Sequence, residues 1–466
     1  MITLTCPRVL HVLANSAPDV NGYAIRSHDL LVSLKDAKIC QPIVLTSPFY
    51  PQRESMNTEA TIDGIVYHRS ASKKSHSNQE KKHGFNVPKS VPFFLRALRY
   101  FVLKTKLSLK KIFSPILKRV MLFRRFLGEK KLMRKFENDI VLLAKKSEAN
   151  IIHAHTPFRV GLPALRAARK LGLPFVYEIR GMWEDSAVAQ GRWTTNSIQY
   201  RYYRIQENKV IRKADEVIAI GSNLGKEVTD RKLRQTPLTI VPNAVGRKIA
   251  SEPLRPETVP SNVGNLLARL KLEKSTLIVG YIGSLRALEG VDYTAKAVAQ
   301  CYKEGIDLRF LVCSSKANQD QLKQHCSELK INDISFIEGP YPHDEIVHFY
   351  DIIDIFVVSR PNTNVTRIVP PIKPLEAMVR MRPTVVSELP ALCEIIENRV
   401  TGLTFPAEDV NALSNVITEL ATNPLAREEL GKSAREFVLE NRTWPNIVGK
   451  YRQVYQRNYR EESVSN

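Results

Sequence analysis

Short apolar runs alternate along most of the chain with stretches whose apolar residues recur at three- and four-residue steps. Residues 8–13 read as a strand, 17–22 as a loop and 23–34 as a helix, and a second strand, 41–46, ends in Ser47-Pro-Phe-Tyr-Pro51. Further on come a helix to about 148, a short strand 150–155 ending in His153-Ala-His155, and a helix 162–171. A strand 175–179 leads into Arg180-Gly-Met-Trp-Glu184-Asp185, then helices rich in Tyr and Arg, then strands 215–220 and 238–243. A second alternating series follows at 277–283, 308–312, 334–337, 353–358 and 384–387. Strands separated by helices at this spacing predict βαβ units and parallel sheets. The expected fold class is therefore α/β, with two Rossmann-like domains facing across a cleft: 1–245 first, 275–440 second. Residues 246–274, weakly periodic and containing Pro, Glu and Asn, read as the linker, and the amphipathic part of 441–466 as a helix crossing back to the first domain.

A chain of 466 residues is too long for one ordinary core. Its 43% hydrophobic and 25% charged content suits a folded soluble protein. No apolar run reaches the roughly 18 residues of a spanning helix, and the start lacks a basic flank before a long apolar core, so it reads as a strand rather than a signal peptide. Six cysteines without a C-x-x-C pair suggest neither zinc nor a disulfide framework, which fits a reducing cytoplasm.

The net charge of +22 first suggests nucleic acid, but its distribution points elsewhere. Between Lys73 and Lys135 stand 19 Lys or Arg against Glu80 and Glu129, so +17 of the total lies in this insert. Lys104, Lys111, Lys118 and Arg125 recur every seven residues beside an apolar stripe containing Phe113, Phe123 and Phe126. That is a basic amphipathic helix, or a pair with Ser114-Pro115 opening the second. Such a stripe suits an anionic bilayer surface and equally suits packing on the domain core with its charges in water. Nucleic acid is not expected, because no recognised binding module accompanies the charge.

Lys373-Pro-Leu-Glu376 opens a short helix just before the strand 384–387. In open α/β sheets ligands sit outside the carboxyl ends of the strands, and a helix start there offers free N–H groups to phosphate oxygens. A carboxylate at the same place accepts ribose hydroxyls, although a solvated first turn would also favour Glu.

Asn21-Gly22, His153-Ala-His155-Thr-Pro157, Ala214-Asp-Glu-Val, Val241-Pro-Asn-Ala244, Gly280-Tyr-Ile-Gly-Ser284 with Glu289-Gly290, and Lys373-Pro-Leu-Glu376-Ala-Met378 together resemble the family 4 retaining glycosyltransferases. Tyr177-Glu-Ile-Arg-Gly-Met-Trp-Glu-Asp185 looks like a subgroup carrying Glu-[Val/Ile]-Arg-x-x-Trp-Glu-Asp. The resemblance implies the GT-B fold, a nucleotide-sugar donor (UDP- or GDP-linked) bound mainly on the second domain, no metal or other cofactor, and transfer with retention. It places Glu376 on the ribose, Lys373 and Arg286 near the diphosphate beside Gly22, Gly283 and Ser284, and His155 beside the transferred sugar. His155, Arg286, Lys373 and Glu376 are the expected catalytic set. His153 is expected on the opposite side of its strand as a structural histidine, while Arg180, Glu184 and Asp185 are expected to face the acceptor.

The pattern departs from the family at two places. Ile368 stands eight residues before Glu376, where the family has a second glutamate, so backbone N–H groups of 369–372 are expected to hold the sugar. Glu289 replaces the usual lysine, and Lys373 is expected to supply the displaced positive charge. The expected activity is sugar transfer to a lipid-linked or polysaccharide acceptor, by a cytoplasmic protein peripheral at the inner membrane face. The two departures favour a second reading, a catalytically silent nucleotide-sugar-binding or scaffold member.

Overall fold

The computed structural model describes residues 6–49, 58–70, 107–233, 237–254, 260–273 and 275–459, with side chains left aside for 107–125 and 343. Among these residues two sheets form. The first comprises β1 (Arg8–Leu13), β2 (Gln41–Thr46), β3 (Glu59–Ile62), β4 (Ile65–Arg69), β5 (Ile151–His155), β6 (Phe175–Ile179), β7 (Glu216–Ala219) and β8 (Leu238–Ile240). Their order is β3-β4-β2-β1-β5-β6-β7-β8, parallel except for the β3/β4 hairpin. The second comprises β9 (Leu277–Ile282), β10 (Leu308–Cys313), β11 (Ser335–Glu338), β12 (Ile355–Val358), β13 (Thr384–Ser387) and β14 (Leu403–Phe405), all parallel, in the order β11-β10-β9-β12-β13-β14. Strands covered on both faces by helices read as near-continuous apolar runs, which is why β5, β6, β7 and β12 are buried along their whole length.

Each sheet grows outward on one side and then restarts on the other side of its first strand. The reversals fall between β1 and β5 and between β9 and β12. Crevices at such reversals, outside the carboxyl ends, are where α/β sheets bind ligands.

The structure differs from the sequence reading in several elements. The β3/β4 hairpin was not expected; it turns at Asp63-Gly64, both at positive φ, as a two-residue Asp-Gly turn does. The expected linker contains a helix, Ser261–Leu270, whose Val263, Leu266 and Leu270 are buried in the second core, so this part is domain rather than connection. Among its described residues the insert forms the helix Leu107–Lys146, which runs through Ser114-Pro115 instead of restarting there. Lys104 lies outside the described residues; Lys111, Lys118 and Arg125 belong to this helix, and their side chains lie outside the description. Its later turns bury Met133, Phe136, Ile140 and Ala144 in the first core. No helix among the described residues is long and apolar enough to cross a membrane.

The tail forms helices Trp444–Ile447 and Gly449–Asn458. Their Trp444, Ile447, Tyr451, Val454 and Tyr455 pack against Val9, Ile151, Val176 and Ile218 of four first-sheet strands. The opposite face carries Glu207 of the helix Ile198–Lys213, which accepts from the Phe158 N–H at 2.8 Å and from the Tyr177 hydroxyl. Burial, reinforced by the charge of Glu184, pushes the Glu207 carboxyl up to about 8. A raised carboxyl binds its proton more tightly folded than unfolded, so stability is fully present below the unfolded value near 4.3 and is lost as pH rises through 8. Chemical denaturation should show the wild type weakening between pH 6 and 9, and Glu207→Gln, which mimics the neutral acid, should remove that loss. Equal slopes for the two proteins would refute the neutral form.

Candidate functional site

At the reversal of the second sheet, β9 is followed at once by Gly283, at φ 151. A Cβ there would stand 2.1 Å from the Lys373 Cε, so the missing side chain lets Lys373 lie across the strand end. The next turn closes at Gly290, φ 70, where a Cβ would meet the Ser359 carbonyl at 1.9 Å. This close approach brings Glu289 against the end of β12 and Arg360, two residues beyond it. Glu289, with no exposed surface, receives Arg286 Nη2 at 3.1 Å, Lys373 Nζ at 3.2 Å and Arg360 Nη2 at 3.0 Å. Burial pushes its carboxyl up, but Arg360, Lys373 and Arg286 outweigh this and hold it far below the usual carboxylate range. Arg286 also donates to the Ser284 hydroxyl at 3.1 Å.

The structure thus joins Gly283, Ser284, Arg286 and Lys373, as the sequence reading expects, and it changes the account of Glu289. Lys373 does not stand alone in place of the usual lysine: the Glu289 carboxylate is the common centre of Arg286, Arg360 and Lys373. Arg360 was missed, although it stands just beyond a strand end, as Arg180 and Arg286 do.

Glu376 lies one turn into the helix Lys373–Val379 and accepts the Tyr350 hydroxyl through Oε2 at 2.7 Å. Tyr350 was missed, and an isolated Tyr in a helix gives no signal for such a role. Gly22 begins the helix Gly22–Asp36, capped by the Asn21 side chain, and no atom lies within 4 Å of where its Cβ would stand. The fold itself therefore does not demand glycine there. Ile368 is buried in the first core. The expectation that N–H groups of 369–372 hold a sugar needs correction: Val369 N–H donates to Val365 O at 3.0 Å, and Pro370 and Pro371 have none. Of the four only Ile372 retains a backbone donor outside this pairing.

The first sheet's reversal holds a second buried cluster. His11 of β1 pairs in register with His153 of β5, and His155 with Glu178 of β6. His153 lies on the same face as His155, not opposite it, because residues two apart in a strand share a face; their rings stack at 4.3 Å. Both His155 nitrogens are engaged, Nδ1 with Arg180 Nη2 at 2.7 Å and Nε2 with His11 Nδ1 at 3.2 Å. The imidazole expected to face a sugar is therefore held inside the first domain. Glu178 accepts Arg26 at 2.5 Å, Arg180 at 2.8 Å and the Tyr451 hydroxyl at 2.6 Å. His153 Nδ1 meets the Tyr455 hydroxyl at 2.9 Å. His11, His153 and His155 form the group of donors among the described residues close enough to hold a metal. Arg180 donates to His155 Nδ1 at 2.7 Å, so a cation already stands against that imidazole, which disfavours an ion there.

The residues expected at an acceptor are turned inward. Arg180 is spent on Glu178, His155 and Ser27 Oγ, the last at 2.6 Å, with its guanidinium over the Tyr23 ring. Glu184 and Asp185 open the helix Trp183–Ala189, and both are buried against Arg231, at 3.2 and 3.5 Å. Asp185 also accepts the Tyr200 hydroxyl at 3.0 Å. Neither carboxylate is placed to take an acceptor proton.

Two interdomain contacts lie beside the donor-side residues. Asn243 Nδ2 donates to Pro370 O at 2.8 Å, and its Oδ1 accepts Arg26 Nε at 2.8 Å. Glu394 accepts the backbone N–H groups of Ser222 and Asn223, at 2.8 and 2.6 Å, at the start of the helix Ser222–Asp230.

Burial, with Arg180 next, lowers the His155 imidazole to about 3, so it is neutral in the folded protein. An unfolded histidine protonates near 6.5. The folded form binds fewer protons, and this contribution to stability is complete above 6.5 and is lost as pH falls toward 3, by at most about 1.4 kcal/mol per pH unit. Denaturation curves at pH 7 and pH 5 should therefore show His155→Gln losing less stability on acidification than the wild type. An identical loss in both would show that His155 is charged when folded.

Two family models match the chain: Glycosyltransferase Family 4 over residues 107–247 and Glycosyl transferases group 1 over 265–437. The alpha-monoglucosyldiacylglycerol synthase of Streptococcus pneumoniae is 22% identical over 64% of this chain and 65% of its own length. The alpha-D-kanosaminyltransferase of Streptomyces kanamyceticus is 22% identical over 49% of this chain and 56% of its own. The chain thus spans less than two thirds of either relative. Among solved structures, sucrose-phosphate synthase (tll1590) from Thermosynechococcus elongatus superposes with a TM-score of 0.70 at 18% identity, covering 97% of this chain and 98% of that one. Anabaena Alr3699/HepE in complex with UDP-glucose gives 0.64 at 14% identity, over 97% and 99%. The chain thus carries two domains matched by glycosyltransferase family models, and its pair of Rossmann-like sheets gives it the GT-B fold.

Proposed function

We propose that this chain transfers a sugar, with retention, from a nucleotide-sugar to a lipid-linked or polysaccharide acceptor at the cytoplasmic face of a membrane. The observation that carries the donor half is the gathering of Arg286, Arg360 and Lys373 on Glu289 at the second sheet's reversal, with Glu376 in the same helix as Lys373. A leaving nucleoside diphosphate develops charge on its phosphate oxygens, and cations held in place beforehand stabilise that charge without reorganising. Arg286, half-exposed at 48%, and Lys373, at 19%, reach toward solvent and are the two that touch phosphate. Tyr350 fixes one oxygen of Glu376 and leaves the other for a ribose hydroxyl. The HepE structure bound to UDP-glucose supports a uridine diphosphate donor. Retention rests on the motif resemblance.

The acceptor half rests on other observations. One relative is named for a glycosylated diacylglycerol. The later turns of the helix Leu107–Lys146 border a groove lined by Lys130, Met133, Arg134, Glu137, Leu162, Arg166 and Tyr202; Arg166 pairs with Glu137 at 3.8 Å, and Lys130 and Arg134 stand beside apolar surface. The sequence of Lys104, Lys111, Lys118 and Arg125 extends that basic character toward the start of the insert. The burial of Ile368 where a carboxylate would meet the sugar favours a second reading, nucleotide-sugar binding without turnover.

Transfer and donor hydrolysis measured over a nucleotide-sugar panel with membrane extract should show Glu376→Ala losing about 10- to 100-fold in kcat/KM, the worth of a hydrogen bond to a charged group. Undiminished turnover would remove the ribose role, and binding without turnover in the wild type would establish the second reading. Flotation with anionic liposomes should recover the protein at low salt and release it as salt rises and the Debye length falls to about 3 Å near 1 M. Absence from the lipid fraction at low salt would remove the membrane claim.

A further inference from the structure

Arg360 is almost fully buried, at 7% side-chain exposure, so it is not placed as a surface phosphate contact. Two of its nitrogens grip one oxygen of Glu289, at 3.2 and 3.0 Å, and a third donates to Val369 O at 3.2 Å. The other Glu289 oxygen is left to Arg286 and Lys373. The fork of an arginine suits this division, whereas a lysine is a point charge without the second arm. Without Arg360 the same buried carboxylate would draw both remaining cations inward and cancel half their charge. With it, three cations and one carboxylate leave two positive charges, one for each phosphate of a diphosphate.

We propose that Arg360 is a positioning residue of the phosphate site: it neutralises Glu289 from behind, so that Arg286 and Lys373 keep their charge for a diphosphate, and it ties that site to the 369–370 segment. It thereby restores the positive charge that a glutamate at position 289 removes. The inference rests on the reading of this cluster as the donor site, and it shifts the compensating role from Lys373 alone to a residue that does not touch the ligand.

The test is calorimetric binding of UDP and GDP with the matching monophosphates, alongside donor kinetics. The wild type should prefer diphosphate over monophosphate. Arg360→Met should lower that ratio by about tenfold, the equivalent of about 1.4 kcal/mol, and Arg360→Lys should restore it to within about threefold, since the charge is kept. Glu289→Gln, which raises the net charge, should bind diphosphate at least as tightly as the wild type while kcat falls, because the cations are no longer pinned. A residue with a purely structural role would weaken both nucleotides equally. An unchanged ratio in Arg360→Met, or, should that variant not fold, weakened diphosphate binding in Glu289→Gln, overturns this inference alone. A wild type that binds neither diphosphate overturns the donor-site reading beneath it and this inference with it.

Discussion

A carboxylate removed from water must be compensated by charge and hydrogen bonds, since an unpaired one is strongly disfavoured. Both sheets are organised around one such group. Glu178 in β6 is balanced by Arg26 and Arg180, and Glu289 beyond β9 by Arg286, Arg360 and Lys373. In each case the cations come from separate segments, so satisfying the carboxylate fixes how those segments approach. Glu178 brings together the helix Gly22–Asp36, the residue after β6 and Tyr451 of the tail. Glu289 brings together the ends of β9 and β12 and the start of the Lys373–Val379 helix. Removing one partner from a buried pair typically costs about 3–5 kcal/mol, more than most single contacts in a core.

The two centres are also linked to each other. Arg26 holds Asn243, Asn243 holds the Pro370 carbonyl, and Arg360 holds the adjacent Val369 carbonyl while gripping Glu289. Buried Ile368 anchors the same segment in the first core. The segment just before Lys373 is therefore gripped from both domains by polar and apolar contacts at once. A shift of the first domain that stretched the Asn243 contact would act on Lys373 through only the two intervening residues Pro371 and Ile372. Glu394 at the start of the Ser222–Asp230 helix adds a third tie, where a negative charge meets free N–H groups and the favourable end of the helix dipole.

Much of this fold was legible because parallel strands covered on both faces announce themselves as apolar runs; in the second series five of six strands did so, while β14, three residues long, gives too short a run to stand out. The hairpin at Asp63-Gly64 was legible too, through its Asp-Gly turn between alternating residues, and was overlooked beside the charge of the insert. The helix Ser261–Leu270 was legible as well, since Val263, Leu266, Leu267 and Leu270 stand at helical steps, although Gly264 and Asn265 between them are weak helix formers. At the site, residues next to a strand end were found when a motif drew attention to them. Arg360, like Arg286, stands a few residues past a strand end but belongs to no motif, and the direction of a side chain is not encoded in spacing. Arg180, Glu184 and Asp185 mark the opposite failure. Their place after β6 was read correctly, but whether a charged side chain there faces a cleft or a buried partner depends on Arg231 and Glu178, whose proximity only the folded chain reveals.

The positive charge of the chain works in two different settings. Most of it belongs to the insert, whose described basic residues Lys130, Lys131, Arg134 and Lys135 are exposed, and exposed charge is screened beyond about 8 Å at physiological salt. Such charge attracts any anionic surface, and its selectivity must come from the apolar residues beside it. The cations on Glu289 are few, close and partly desolvated, so they interact more strongly and are screened less. There geometry decides, because a carboxylate accepting from three directions sets the spacing of the groups around it. A glutamate at this position, which in isolation looks like the loss of a phosphate-binding lysine, is what allows two arginines and a lysine to stand together without mutual repulsion driving them apart.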